Sequence, residues 1–165
     1  MRRPPELTCL KLDRYEYKLI GEIVVLSGLM EQHLKDLPQC LKATKFTAFT
    51  AHLNFQSLCD LNLALLPDTV QHAPLRAGFE KAIKKCRKVY DDRSRLVHGP
   101  FFPYPSGIKG TIRVTARRKI AFQGYQFDRD SLHELLSEFI TAFEDLQICI
   151  VALQAVHGEL PPGVE

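Results

Sequence analysis

From Leu132 to Leu153 the apolar residues Leu132, Leu135, Leu136, Phe139, Ile140, Phe143, Leu146, Ile150 and Leu153 recur every three or four positions. That spacing lays them on one stripe of an α-helix and cannot be laid on one face of a strand. A helix of this length and stripe must be covered along its whole side, so the rest of the chain has to supply further long helices. The start is also marked: Asp128 or Asp130 can cap it, and Ser131 with Glu134 has the spacing of a capping box.

Three upstream segments answer the demand. Between about Tyr15 and Leu37 the residues Ile20, Ile23, Val24, Met30, Leu34 and Leu37 follow helical spacing, and Pro38 is expected to end the run. Gly21 and Gly28, one heptad apart, each weaken such a helix, and they either mark the close approach of another helix or are simply tolerated there. Leu41 to Leu66 reads as a second helix closed by Pro67-Asp68. A third begins after Pro74 and stops at His98, where Gly99-Pro100 offers a left-handed cap followed by a residue that cannot continue.

Between residues 101 and 127 the pattern changes. Prolines 100, 103 and 105 and glycines 107 and 110 precede Thr111–Thr115, which alternates, as does Lys119–Phe122. Two short strands turning near Arg117-Arg118 make a small β-hairpin, about 108–126. Its basic residues, Lys109, Arg113, Arg117, Arg118 and Lys119, suit a solvated face or a phosphate backbone. The expected fold is therefore mainly α: a four-helix bundle with a hairpin inserted between the third and fourth long helices. One domain spans 15–158, with a loose lead-in over 1–14 and a tail over 159–165.

Composition narrows the function classes. Hydrophobic residues at 45% and charged residues at 25% suit a globular core and exclude a disordered chain. Five cysteines, at 9, 40, 59, 86 and 149, are odd in number and lack CxxC spacing, which points to reduced core thiols rather than disulfides or zinc. The apolar run from Leu19 to Met30 is broken by Glu22 and two glycines and is too short to span a bilayer. A cytoplasmic protein is expected, with no membrane partner.

Chemistry concentrates at the end of the third helix. Lys81, Lys84, Lys85, Arg87, Lys88, Arg93 and Arg95 place seven of the 22 basic residues within one short stretch, a field that draws polyanions. The stretch ends in Arg93-Ser94-Arg95-Leu96-Val97-His98-Gly99. Five residues along a helix correspond to a rotation of about 140° and a rise of about 7.5 Å, so Arg93 and His98 converge only if the arginine reaches along the groove or the last turn loosens. Arg95, three positions from His98, faces it more directly, and geometry alone does not choose between the arginines. A histidine at a helix C-terminus also suits the negative end of the helix dipole without any catalytic role.

This segment resembles the signature of the HEPN superfamily (higher eukaryotes and prokaryotes nucleotide-binding domains). Those proteins are helical bundles, many of them metal-independent ribonucleases, with an arginine, four to six residues and a histidine near the end of the third helix. Arg93 and His98 match with four between, and Leu96-Val97-His98-Gly99 is a common form of the tail. The first helix, from Gly21-Glu22-Ile23-Val24-Val25 to Met30-Glu31, is similar to the family's opening helix, and the resemblance extends from about Tyr15 to His157. Where the family most often carries asparagine after the arginine, this chain has Ser94.

The resemblance implies an endoribonuclease of toxin or defence type that needs no cofactor or metal. Its histidine, titrating near neutrality, takes the proton from a ribose 2′-hydroxyl. Its arginine fork holds the phosphate and the charge that grows on it. The roles fall on His98 and Arg93, with Ser94, Arg95 and Lys88 as RNA-binding neighbours. Pairing of two motifs across a homodimer supplies the second acid, and an antitoxin protein is a possible restraining partner. The alternative is a non-catalytic module of the same build that binds RNA, a nucleotide or a protein. The remaining histidines lack metal-ligand spacing, no phosphate loop or GxSxG elbow is present, and adjacent Asp91-Asp92 diverge by about 100° on a helix.

Overall fold

The computed structural model describes residues 12–98, 101–103, 109–115 and 121–158, with the backbone alone for residues 98, 101–103, 109–115 and 121–126. Over these residues the protein is mainly helical. Helix α1 (Arg14–Cys40) is followed by a 3-10 turn (Thr44–Phe46), the single turn α2 (Thr47–Thr50), and the helices α3 (Phe55–Thr69), α4 (Ala73–His98) and α5 (Arg129–His157).

The caps explain where the helices start. Asp13 accepts hydrogen bonds from the Tyr15 and Glu16 amides, and Glu16 returns one from the Asp13 amide, a closed capping box. Asp128 caps α5, and its partner in the box is Ser131 rather than the expected Ser131–Glu134 pair. An Arg129–Asp13 ion pair and a Tyr15–His133 hydrogen bond of 2.6 Å tie the starts of α1 and α5 together.

Two expectations about prolines are corrected. Pro38 lies inside α1, which runs on to Cys40, and Pro67 lies inside α3, which runs on to Thr69. Each proline sits in its helix's last turns, where the missing N–H forfeits one bond and little helix remains to be broken. The single helix expected over 41–66 is also divided. After the Leu41 cap, Lys42 turns left-handed at φ 56°, and the Lys42 and Ala43 amides donate back to the Gln39 and Pro38 carbonyls. This Schellman closure turns the chain away into the short turns over Thr44–Thr50, and a long helix resumes only where the Asn54 side chain accepts from the Ser57 amide.

The four long helices form a bundle in which α4 packs on α5 and α3, while α1 packs on α5 and α3. Its centre is filled by Ile23, Met30 and Leu34 of α1, Leu58 and Leu66 of α3, Phe79 and Ile83 of α4, and Phe139, Leu146 and Leu153 of α5, each buried. Cys59, Cys86 and Cys149 are buried free thiols in this core. Burial pushes the Cys59 thiol up to about 11 and the Cys86 thiol up to about 12. The close helix approach does not fall at Gly21 or Gly28, where an added Cβ would meet nothing within 4 Å. It falls at Gly78, where such a Cβ would lie 3.3 Å from Cys149 Sγ.

Helix α5 is long and apolar enough by composition to cross a membrane; here it packs against α4 and α1. Between α4 and α5 the backbone runs as three short strands, where the sequence pattern suggested two: β1 (Phe101–Pro103), β2 (Lys109–Thr115) and β3 (Ala121–Phe127). They lie antiparallel in the order β1-β2-β3, with Ile112 opposite Gly124 and Phe102 opposite Gly110. Phe127, buried at the end of β3, leads the chain into α5. The turn expected at Arg117-Arg118, residues 1–11 of the lead-in expected over 1–14, and the tail over 159–165 lie outside the described residues.

Candidate functional site

Helix α4 is basic along its length, and carboxylates face much of that charge. Lys84 pairs with Glu80 on its own helix, Arg95 pairs with Asp92, Lys85 and Lys88 reach Asp145 and Glu138 of α5, and Arg87 pairs with Asp60 of α3. At least five of the seven cations between 81 and 95 therefore have a carboxylate partner. The field expected from the sequence is partly offset at the surface of the bundle, because acids on α3, α4 and α5 face it.

The motif residues divide between two faces. Two positions along a helix are about 200° apart, so Arg93 and Arg95 point opposite ways. Arg93 turns toward Tyr90, its guanidinium 5.4 Å from the ring centroid, a cation–π arrangement. That ring is itself fixed: it stacks on Phe55 of α3 with centroids 3.7 Å apart and planes at 6°. Burial raises the Tyr90 hydroxyl above its usual range, with the Arg93 charge opposing the shift. Beside it Asp91 accepts a hydrogen bond of 2.9 Å from Gln56 Nε2, which locks the α3–α4 seam.

On the other face, Lys88 and Arg95 share a groove of about 350 Å³ between α4 and α5, lined also by Asp92, Phe127, Glu134 and Glu138. Lys88 Nζ lies 3.1 Å from Glu138 Oε1, and Arg95 Nη1 lies 2.7 Å from Asp92 Oδ1. Burial raises the Asp92 carboxyl above its ordinary value, while Arg95 and Lys88 pull it back. The groove is thus an alternation of two cations and three carboxylates over an apolar floor. Such a surface can bind a phosphate only if the lysine or arginine exchanges its acidic partner for it.

Of the five site residues expected from the sequence, Lys88 and Arg95 come together and Arg93 is set apart from them. Ser94 is half-buried between the two faces. His98 is the last residue of α4, and its side chain lies outside the described residues. Asp91 and Asp92 diverge as expected, one to Gln56 and one to Arg95. Among the described residues no group of three or more His, Cys, Asp or Glu side chains could hold a metal ion.

Three contributors escaped the sequence reading. Tyr90 carried a local signal, an aromatic three positions before an arginine, which a helix brings together. Glu138 and Gln56 carried none, since their partners lie 50 and 35 residues away. Comparisons of the chain with protein-family models, with curated proteins and with solved structures return no match.

Proposed function

We propose that this protein is a metal-independent endoribonuclease of toxin or defence type, built on a HEPN-like bundle with a β-hairpin inserted between α4 and α5. The reading rests on one observation. Arg93 lies in the last two turns of α4, steadied over Tyr90, and His98 is the final residue of that helix. In the proposed reaction His98 takes the proton of a ribose 2′-hydroxyl, and the 2′-oxygen forms a bond to phosphorus as the bond to the 5′-oxygen breaks. Arg93 holds the phosphate through the charge build-up. The leaving 5′-oxygen takes its proton from a second histidine, His98 of a partner copy in a homodimer, and the products are a cyclic phosphate and a 5′-hydroxyl. Ser94 is the polar neighbour that steadies the arginine or the substrate, and an antitoxin protein restrains the nuclease.

Cleavage of single-stranded RNA in EDTA tests the proposal. Purified protein should cut, and Arg93→Ala and His98→Ala should each abolish cutting with the helical circular dichroism unchanged. Cutting that requires a divalent ion, or that survives His98→Ala, removes the mechanism.

One observation favours a second reading, a non-catalytic module that docks RNA, a nucleotide or a protein. Lys88 and Arg95 are already neutralised by Glu138 and Asp92, which suits a surface that exchanges ion pairs on binding. Salt-dependent RNA binding with no product at any ionic strength would select it.

A further inference from the structure

The outward face of α1 carries a run of exposed apolar residues and glycines. Tyr17, Gly21, Val24, Val25, Gly28 and Leu29 follow one another at helical spacing, and all six are exposed. Val25, at the middle, is 63% exposed. A Cβ added at either glycine would meet nothing within 4 Å, so among the described residues no close neighbour offsets the helix stability that the two glycines cost. A notched apolar face of this kind is what a second helix needs to approach more closely than the usual 8–10 Å or so between axes.

The ends of the face say what that helix is. Arg14 begins it and Asp36 closes it, both exposed, with Lys18 and Gln32 just inside them. Each of these pairs, and also Gly21 with Leu29, is centred on position 25. An antiparallel copy of α1 on a twofold axis at Val25 therefore sets Arg14 against Asp36 at both ends and drops each Leu29 into the notch at Gly21. Val25 meets its own equivalent, and the two helix dipoles run in opposite directions. A self-complementary patch is the requirement of a twofold interface.

We infer that α1 is a homodimer interface, closed by a second copy of this chain packed antiparallel about Val25. The inference stands on the face of α1 alone and does not rest on the nuclease reading. The nuclease reading also needs a dimer, so a monomer removes both; a dimer indifferent to Val25→Arg removes the α1 interface alone, and an α1 dimer that cuts no RNA removes the nuclease alone.

Light scattering on the purified chain should report two copies of 18.8 kDa at micromolar concentration. Val25→Arg should give one copy. Gly21→Leu should do the same while the thermal midpoint holds or rises, because leucine is the better helix former. Arg14→Asp and Asp36→Arg should each weaken the dimer about tenfold, and the two together should restore it. Val25→Cys should form a disulfide-linked dimer on mild oxidation where the parent chain does not. A monomer at every concentration, or a dimer indifferent to Val25→Arg and to Gly21→Leu, overturns the inference. Charge reversals that fail to compensate overturn the antiparallel arrangement.

Discussion

Asn62 Nδ2 donates a 2.8 Å hydrogen bond to the carbonyl oxygen of Leu34, the acceptor whose helical donor is missing because residue 38 is proline. The asparagine is fully buried on α3 and also donates to Leu58 O of its own helix at 2.9 Å. A polar side chain in the core is thereby explained by a backbone group one helix away. Leaving a buried carbonyl unmet costs about 1–3 kcal/mol. Asn62→Leu should lower the unfolding free energy by about 2 kcal/mol in urea titrations. In a Pro38→Ala background, where the restored amide reaches Leu34 O, the same substitution should cost at least about 1 kcal/mol less. Equal costs in the two backgrounds would show that the pairing is incidental.

Lys42 holds the left-handed position of the Schellman closure after α1, at φ 56°. A side chain there meets a penalty of about 1–2 kcal/mol that glycine avoids, while glycine's greater freedom when unfolded returns about 0.5–1 kcal/mol of it. Lys42→Gly should therefore stabilise the fold by about 0.5–1 kcal/mol, and Lys42→Val should destabilise it. Thermal melts of both variants check the sign. A glycine variant that melts lower removes the assignment of strain to this residue.

The Arg129 guanidinium and the Glu16 and Tyr15 amides hold the Asp13 carboxyl at about 2, below the usual carboxylate range. A depressed carboxylate adds stability above its unfolded pKa, and that stability is lost as pH falls through the folded value. The window is thus from about pH 4 down to about pH 2. Asp13→Asn should flatten the fall of the melting temperature across that window and should not change its slope near neutrality. The site is exposed, so raised salt should shrink the effect. An unchanged acid limb would mean that the cap and ion pair do not hold in solution.

How far these features could be read in advance depends on range. The α5 stripe was legible because its apolar period runs unbroken from Leu132 to Leu153 and the cap lies beside it in sequence. The break after α1 was not, because a left-handed lysine carries no glycine signal and the Asn54 cap sits inside an apolar run. Pro38 and Pro67 misled for the same local reason: their cost depends on how much helix follows and on who meets the orphaned carbonyl, and Asn62 lies 28 residues from Leu34. At the site, Arg93 and His98 could be singled out from seven consecutive residues. The neutralisation of Lys88 by Glu138 could not, since it is a property of how α4 meets α5. Gly21 and Gly28 misplaced the close helix approach, which falls instead at Gly78 against Cys149, because a glycine's spacing does not tell which helix of the bundle crosses there.

The groove between α4 and α5 gives the sharpest functional test short of cleavage. Lys88 and Arg95 face it with Glu138 and Asp92 already attached. Glu138→Gln and Asp92→Asn remove those partners while keeping size and hydrogen-bonding capacity. If RNA enters this groove, each change should tighten binding, and the double variant should steepen the dependence of log affinity on log salt. Each cation freed to reach a phosphate adds about 0.7 to that slope for a single strand. Lys88→Gln and Arg95→Gln should move both quantities the other way. Affinity and slope that stay put in all four variants would exclude the groove from RNA binding and leave the Arg93 face, with its Tyr90 and Phe55 stack, as the surface to probe next.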